Sequence, residues 1–401
     1  MKKSGIKSLK AGEILDSNGR PTVEVKLDTD FGVFSASVPS GESTGKYEAV
    51  EMRDEDGKGV LKVVENIEKI IAPAIKEEDI LNQKKIDEIL LELDGTKNKS
   101  RLGANAILPV SIVFCRAGAV AKGIPLYRYI SEMAGKECVL PRPSFNMIEG
   151  GRHSGSGLVF QEFMVVPQKD IFKENFETGI RIYNKLRGIL ENKYGKENIS
   201  LSREGAFSGP ADIYEALDSV IVAGQGEKIK IAIDAAASSF YKEGFYNIAG
   251  KSVPREELVN IYQDIISRYP IASIEDPFFE EDFKGIFGLD REDITIFGDD
   301  VTVSNIERIK LAKEKNACNG LILKPNQIGT VTETLEAAKL AKSFGWKIMV
   351  SNRAGETEDD FIADLAVGIG ADFIKSGAPY PKERMVKYNR LEKIEKELCQ
   401  N

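Results

Sequence analysis

The chain has 401 residues, of which 42% are hydrophobic and 29% are charged, an ordinary balance for a globular protein. This length predicts about two or three domains and a large core. The net charge is −8 and the pI is near 5.2, which exclude the basic surface that nucleic acids and anionic membranes require. We therefore expect no nucleic-acid partner. An anionic substrate would need a local group of cations or a bound metal.

Sequence features of export or membrane insertion are absent. The N-terminal segment MKKSGIKSLKAGE has lysines but no apolar core, so we do not expect a signal peptide. No apolar run reaches the roughly 18 uninterrupted residues of a membrane-spanning helix. The four cysteines are scattered and form no CxxC pair, which favours incidental thiols over a disulfide framework. The sequence predicts a cytoplasmic protein with no membrane partner.

The first third of the chain predicts an α+β domain, which we place at residues 1–138. Alternating apolar and polar residues in PTVEVKLDT and GVFSASVP predict two strands of a hairpin. From residue 60 to residue 122, apolar residues recur at helical spacing, which predicts a series of helices. Pro109 lies inside the last helical stretch and predicts a kink there.

Residues 139–401 predict an α/β domain in which strands alternate with helices. Six apolar runs each end in charged residues, and after a first, longer gap neighbouring runs are 22–29 residues apart, the length of a strand, a helix and two loops. Strands buried on both faces are typically continuous apolar runs. The pattern predicts a (β/α) barrel with an active site at the carboxyl ends of its strands. The runs are IAID, IASIED, ITIFGDD, GLILK, KIMVSNR and DFIK.

The first three of these runs end in acids. Asp234, Glu275 and Asp299 are candidate metal ligands, and oxygen-only ligation favours Mg²⁺, or Mn²⁺ in its place, over zinc. One acid at a strand end is as readily explained as the cap of the next helix. Three acids on successive strands make that explanation much weaker.

The next three runs end in cations. Lys324, Arg353 and Lys375 are candidates for a catalytic base and for clamps on an anion. Lys324 taken alone could equally form a buried ion pair with a neighbouring acid. Together with the three acids, the cations predict a metal-assisted enzyme that acts on an anionic substrate.

Motifs spread over almost the whole chain resemble those of the enolase family, and together they are highly specific. They are DSNGRPTVEV at 16–25, VPSGESTGKYEA at 38–49, EMRD at 51–54, LDGTKNKSRLGANAIL at 93–108, GGRHSGSGLVFQEFM at 150–164, SREGAF at 202–207, SIEDPF at 273–278, GDDVTVSN at 298–305, LKPNQIGT at 323–330, SNRAGETEDDFIADL at 351–365 and KSGAP at 375–379.

The resemblance implies an α/β protein with an N-terminal α+β capping domain and a C-terminal (β/α)8-type barrel. The barrel would begin with an antiparallel ββαα unit. The implied activity is that of a lyase with two Mg²⁺ per active site. It removes the proton α to a carboxylate and eliminates water, converting 2-phosphoglycerate to phosphoenolpyruvate. The segment DSNGRPTVEV implies a homodimer or a ring of dimers, although Asn18 and Arg20 are exchanged relative to the family order.

The family roles can be carried over residue by residue. Asp234, Glu275 and Asp299 match the Mg²⁺ ligands. Ser43, in a segment that resembles the mobile lid, matches a contact to substrate and to the second Mg²⁺. Lys324 matches the general base, and we expect nearby cations to lower its pKa towards neutrality.

Three further matches lie in loops and turns. Glu204 matches the acid that helps the β-hydroxyl leave as water. His153 and Glu162 match residues that close over the substrate. His153 is the only histidine, and in isolation an ordinary surface residue would be its simpler explanation.

The match is incomplete at the end of the site that would hold the phosphate and the leaving group. Arg353 matches the phosphate ligand and Lys375 a second anion clamp, but Asn352 stands where the family has histidine. Asn352 can bind substrate but cannot pass a proton, which can cost about 10²–10⁴ in rate. Ala354 replaces a serine, and Arg203 replaces an acid beside Glu204, where its charge is expected to favour the ionised carboxylate.

Three interpretations follow from these departures. The protein is an enolase that tolerates the changes, or a paralogue that acts on a related phospho- or phosphono-carboxylate, or a catalytically weak binding or scaffold protein. The third is weakest, because an idle site has no reason to keep a base, an acid, two anion clamps and three metal ligands together. The sequence does not decide between the first two.

Overall fold

The computed structural model describes residues 5–41, 45–151, 157–286, 288–289 and 292–400. Two predicted site residues, Ser43 and His153, lie outside these ranges.

The N-terminal part begins with three antiparallel strands, which are β1 (Ile6–Leu15), β2 (Pro21–Thr29) and β3 (Gly32–Ser37). β2 lies between the other two. Val23, Val25 and Leu27 are completely buried, because alternate side chains of a strand point to the same face. The predicted hairpin is β2 and β3, so this prediction is confirmed.

Helices follow the sheet. They are α1 (Leu61–Asn66), a π-helical turn (Ile67–Ile71), α2 (Ala72–Ile75), α3 (Gln83–Asp94), α4 (Ala104–Lys122) and α5 (Leu126–Ala134). The π-helical turn and α5 were not predicted from the sequence. The helix α4 runs without a break through Pro109.

Helix α4 has the length and composition of a membrane span, with a mean hydropathy of 1.6 in its most apolar window. However, 83% of that window is buried inside the protein. A helix that is apolar on all sides is also what the centre of a packed domain requires. The neighbours of α4 include β2, β3, α3 and α5, so its apolar surface is explained by packing.

The remaining strands largely alternate with helices, as predicted, although three short strands at 241–253 form a sheet of their own. The strands are β4 (Arg142–Glu149), β5 (Glu162–Pro167), β6 (Ser200–Leu201), β7 (Phe207–Ser208), β8 (Ile229–Asp234), β9 (Tyr241–Lys242), β10 (Phe245–Ile248), β11 (Lys251–Val253), β12 (Ile271–Glu275), β13 (Thr295–Gly298), β14 (Gly320–Leu323), β15 (Lys347–Ser351) and β16 (Phe373–Lys375). The helices are α6 (Phe172–Tyr194), α7 (Ile213–Ala223), α8 (Arg255–Arg268), α9 (Ile306–Glu314), α10 (Pro325–Ile328), α11 (Val331–Ser343), α12 (Phe361–Gly368) and α13 (Lys382–Cys399).

Within the described residues, eight of these strands close into a barrel in the order β4, β5, β8, β12, β13, β14, β15 and β16, with β16 pairing back onto β4. β5 is antiparallel to both β4 and β8, and from β8 round to β4 the pairing is parallel. Helices α6 and α7 lie between β5 and β8. The expected antiparallel ββαα start is therefore confirmed. Because β5 is reversed, its first residue, Glu162, lies opposite Asp234, the last residue of β8.

A buried carboxylate joins the N-terminal helices to the barrel. Asp87 of α3 accepts hydrogen bonds from Ser111 Oγ of α4 at 2.6 Å and from Gln83 Nε2 at 3.1 Å. It also accepts from the backbone N–H and the hydroxyl of Thr332, at the start of α11, at 2.9 and 2.6 Å. Burial raises the pKa of Asp87, and these donors oppose the rise. The contact fixes how the N-terminal part sits on the barrel.

Replacing Asp87 tests how much this contact contributes to the free energy of unfolding. Asp87→Ala leaves buried donors of Gln83, Ser111 and Thr332 without their acceptor, and we expect it to lower the free energy of unfolding by about 2–4 kcal/mol. Glu88→Ala, at the exposed neighbouring position, is the control and should change stability by less than about 0.5 kcal/mol. Denaturant unfolding of both variants measures the difference. Equal stabilities would contradict a structural role for Asp87.

Candidate active site

The six predicted strands with charged ends are all barrel strands, and their ends meet at one rim. Asp234, Glu275 and Lys375 are the last residues of β8, β12 and β16. Asp299 and Lys324 directly follow β13 and β14. Because neighbouring strands here are parallel, the barrel brings these five side chains to the same end.

A small pocket opens among these strand ends. Most of the predicted substrate and catalytic residues that the structure describes line it. Glu275 is not among the lining residues, but its carboxylate lies 2.8 Å from Lys375 Nζ. The lining residues are Gln161, Glu162, Glu204, Asp234, Asp299, Lys324, Ser351, Asn352, Arg353, Ala354 and Lys375.

The predicted metal ligands have the chemistry that a hard divalent cation requires. Asp234 and Glu275 are buried, with 3% and 2% of their surface exposed, and with Asp299 they offer only carboxylate oxygens. Glu275 Oε1 is buried and has no hydrogen-bond partner in the described part of the chain. A buried carboxylate oxygen without a partner is unfavourable, and Mg²⁺ would satisfy it. The residues present therefore fit the cation.

Lys375 lies at the centre of the acids. Its ammonium group is 2.8 Å from Glu275, 3.1 Å from Glu162 and 3.5 Å from Asp234. Burial disfavours the charged amine, but these three carboxylates outweigh burial and hold the pKa of Lys375 well above its usual value. The predicted anion clamp is thus also the counter-charge of two predicted metal ligands. Its role towards a substrate stays a prediction.

Lys324 is paired with the third predicted ligand. Its Nζ lies 2.5 Å from Asp299 Oδ2, while Gln327 Nε2 donates to Asp299 Oδ1 at 2.8 Å. Burial acts to lower the pKa of this lysine, and so do the neighbouring cations Lys375 and Arg353, as expected. The carboxylates of Asp299 and Glu275 together outweigh burial and the neighbouring cations, so the pKa of Lys324 is raised. The expectation of a lowered pKa was therefore wrong for the arrangement in this structure.

The closest group of acidic oxygens is a different one from the predicted set. Oxygens of Asp276, Asp299 and Asp300 lie within 4.8 Å of one another. Asp276 accepts hydrogen bonds from the backbone N–H groups of Asp299 and Asp300 at 2.9 and 2.7 Å. Asp276 thereby fixes the loop that presents Asp299. This role was not predicted, since Asp276 was known only as part of the motif SIEDPF.

Arg353, the predicted phosphate ligand, is buried against an N-terminal acid. Its Nη1 donates to Glu48 Oε2 at 2.8 Å and to Asn326 Oδ1 at 3.1 Å, and its Nη2 lies 3.4 Å from Glu48 Oε1. The backbone of Gly41 lies so close that an added Cβ would be 2.1 Å from Nη2. Glu48 was not predicted as a site residue, although it lies in the motif VPSGESTGKYEA. Its carboxylate fixes the guanidinium from the N-terminal side.

The loop after β15 carries Asn352 and Ala354, which depart from the family pattern. Hydrogen bonds to its backbone carbonyls hold this loop. The Asn352 side chain donates to the carbonyl of Arg353 at 3.0 Å. The carbonyl of Ala354 accepts from Arg384 Nη2 at 2.8 Å and from Asn18 Nδ2 at 3.3 Å. Asn18, the exchanged residue of the N-terminal motif, thus contacts the loop that carries the serine-to-alanine change. The N-terminal motif helps to build the site within one chain.

Helix α13 also holds these loops in place, and this role was not predicted from the sequence. The buried Lys387 pairs with Glu356 at 2.7 Å and donates to the carbonyl of Thr357 at 2.5 Å. The Tyr388 hydroxyl donates to the carbonyl of Gly377 at 2.9 Å. The burial of Lys387 and Arg384 is visible only in the structure, because the sequence of α13 does not distinguish them from its exposed lysines and arginines.

Glu204 lies in a turn between β6 and β7 and is 6% exposed. Its pKa is raised to about 7, mainly by burial; the charges of Glu162 and Glu149 act in the same direction, while Arg384 and Lys375 oppose it. We expected Arg203 to favour the ionised carboxylate, and that effect stays a prediction, but the net pKa of Glu204 is raised. The Arg203 residue is exposed, and the strongest cation acting on Glu204 is Arg384.

Two family models match the chain. The model described as "Enolase, N-terminal domain" matches residues 6–130, and the one described as "Enolase, C-terminal TIM barrel domain" matches residues 137–401. The chain belongs to the enolase family. Its fold is the enolase fold, and the pocket described above lies at the rim of the enolase barrel. The domain boundary at residues 138 and 139 stays a prediction.

The pH dependence of stability tests the protonation of Glu204. The folded enolase barrel holds this proton more tightly than the unfolded chain, so Glu204 stabilises the fold below about pH 4.5, and this contribution is lost as the pH rises through about 7. Glu204→Gln should therefore gain stability relative to the parent between pH 5 and pH 8, measured as the difference in Tm. Glu197→Gln, at an exposed position, should show a constant difference. A constant difference for Glu204→Gln would contradict the raised pKa.

Proposed function

We propose that this enolase-family protein is a Mg²⁺-dependent lyase that removes the proton α to a carboxylate and eliminates water, with 2-phosphoglycerate as substrate and phosphoenolpyruvate as product. The observation that carries the proposal is that one pocket brings together Lys324, an amine able to act as a base, and Glu204, a carboxyl group poised to act as an acid. Elimination of water needs both groups, one for each leaving part of the substrate.

The metal would be held by Asp234, Glu275 and Asp299, with two Mg²⁺ per site, and Mn²⁺ as a substitute. Ser43 is proposed as a ligand of the second ion. The support is the oxygen-only donor set and the buried, unpartnered Oε1 of Glu275. Bound Mg²⁺ would supply positive charge to the substrate carboxylate, which makes the neighbouring proton more acidic.

Lys324 accepts the α-proton at Nζ. An amine is a base only when neutral, and the contact with Asp299 at 2.5 Å holds the proton on Lys324. The ion pair must therefore weaken before the proton is transferred. Because Asp299 is also a proposed metal ligand, occupation of the metal site and readiness of the base are linked through one carboxylate.

Glu204 gives its proton to the leaving hydroxyl group. With a pKa of about 7, a substantial fraction of the carboxyl is protonated near neutral pH, as an acid catalyst requires. Arg353 and Lys375 bind the anionic groups of the substrate, and Asn352 donates a hydrogen bond from the position of the family histidine. Glu162 and His153 close the site.

A second candidate is a paralogue that acts on a related phospho- or phosphono-carboxylate. The observation that favours it is the altered loop, in which Asn352 and Ala354 replace residues of the family pattern while Lys324 is retained. A catalytically weak binding or scaffold protein is the further alternative. We also propose a cytoplasmic location and assembly as a homodimer or a ring of dimers, following the family.

The first test of this function is Lys324→Ala. We expect the parent to form phosphoenolpyruvate from 2-phosphoglycerate and to exchange the α-proton with deuterated solvent. The variant should lose both by about 10²–10⁴-fold, because Lys375, the other amine that lines this pocket, is held in its charged form by three carboxylates. Absorbance of the product and NMR of the substrate measure the two rates, with Lys310→Ala at the surface as control. Exchange at the parental rate would remove Lys324 from the mechanism. Turnover of other phospho-carboxylates alone would favour the paralogue.

The metal assignment is tested with Glu275→Gln. Loss of one charged oxygen ligand should weaken Mg²⁺ binding by about tenfold or more, measured by titration calorimetry. Glu292→Gln, at an exposed position in the loop before β13, is the control and should bind as the parent does. Unchanged binding in Glu275→Gln would place the metal elsewhere.

A further inference from the structure

A buried acid beside Glu204 has no role in the mechanism proposed above. Glu149 is the last residue of β4 and has no exposed surface. Its Oε2 accepts a hydrogen bond from Asn146 Nδ2 at 2.8 Å and another from Ser202 Oγ at 2.9 Å. Because it ends β4, Glu149 lies at the rim of the barrel, where the ends of other strands carry the active-site residues.

The Ser202 hydroxyl connects Glu149 to the turn that carries Glu204. While it donates to Glu149, it accepts from the backbone N–H of Glu204 and of Ala206, each at 3.2 Å. A hydroxyl has one proton and two acceptor positions, so the bond to Glu149 orients it towards both N–H groups. The backbone N–H of Ser202 also donates to the carbonyl of Ala206 at 2.8 Å. The turn at 202–206 is thus closed around Ser202 and anchored on Glu149.

Charge provides a second connection between Glu149 and Glu204. The charged groups acting on Glu204 come from four elements. Arg384 of α13 and Lys375 of β16 favour its ionised form, whereas Glu162 of β5 and Glu149 of β4 favour the neutral acid. Two of these, Glu162 and Lys375, form an ion pair at 3.1 Å. Glu149 is the carboxylate that also contacts the turn of Glu204.

We propose that Glu149 is a positioning residue for Glu204, holding its turn through Ser202 and favouring its acid form through its negative charge. The proposal rests on the proposed function in one respect, which is that Glu204 delivers a proton to the leaving group. The packing of the turn does not depend on that function.

The cost of burying a carboxylate supports a role for its charge. A glutamine at this position could also accept from Asn146 and Ser202, with weaker hydrogen bonds but without the free energy needed to remove a negative charge from water. A residue that served only to anchor the turn would therefore be better as an amide. The same reasoning makes Glu149→Gln the informative variant, because it keeps the shape and removes the charge.

The test follows the pH window in which Glu204 loses its proton. Thermal unfolding is measured from pH 4 to pH 9 at fixed Mg²⁺ concentration for the parent, Glu149→Gln, Ser202→Ala and the control Glu197→Gln, each with and without Glu204→Gln. The difference in Tm between the members of each pair isolates Glu204. In the Glu149→Gln background, we expect the window to move to lower pH by about one unit, because a like charge has been removed.

Ser202→Ala separates the contact from the charge. It keeps the Glu149 carboxyl group but leaves the turn without its central hydroxyl, so the window should stay within about half a unit of the parental one. Where the parent turns over 2-phosphoglycerate, kcat should fall by about tenfold in this variant, with less change in KM. The control should change neither quantity.

The outcomes separate this proposal from the proposed function. An unchanged window in Glu149→Gln overturns the role of Glu149, whatever the activity of the protein. A shifted window in a protein that does not act on 2-phosphoglycerate supports the positioning role and defeats the assigned reaction. Should Glu149→Gln fail to fold, Glu149→Asp keeps the charge and shortens the side chain. A window moved by one unit in Glu149→Asp would overturn the proposal.

Discussion

The constraint on which this site depends is the balance of buried charge at the barrel rim. Lys375 neutralises part of an acidic group formed by Glu162, Asp234 and Glu275, at distances of 2.8–3.5 Å. Carboxylates this close and this deeply buried cannot all stay ionised without a counter-charge. The same excess of carboxylate oxygens makes the rim suitable for a divalent cation. The packing of the rim, the protonation of its groups and its affinity for a metal therefore all depend on the same carboxylates.

Much of the barrel could be predicted from the sequence, because its strands are buried on both faces. The six apolar runs became six barrel strands, and their charged ends met at one rim. Helix α5 and the π-helical turn at Ile67–Ile71 were not predicted. Both lie in the N-terminal part, where short segments are held by contacts with other elements, and local sequence carries little information about such contacts.

The site was predicted less completely than the fold. Residues at strand ends, such as Asp234 and Lys324, have a fixed place in a barrel, so pattern was enough to find them. Glu48, Arg384 and Asp276 act by reaching across from another element, and no spacing in the sequence records that. The prediction for the pKa of Lys324 failed for the same reason. Lys324 was expected to lose its proton readily, but its nearest neighbour is a carboxylate 2.5 Å away.

The two ends of the pocket are held together in different ways, and this explains where the sequence has changed. The end with Lys324 is held by ion pairs, so replacing any one group disturbs the charge of the others. The other end has the ion pairs of Arg353 with Glu48 and of Lys387 with Glu356, but it is also held by hydrogen bonds to the backbone carbonyls of Arg353 and Ala354. A carbonyl remains when the side chain at its position changes. Substitutions such as Ala354 can therefore accumulate at this end, altering the contacts offered to a substrate while the base and the acidic group stay intact.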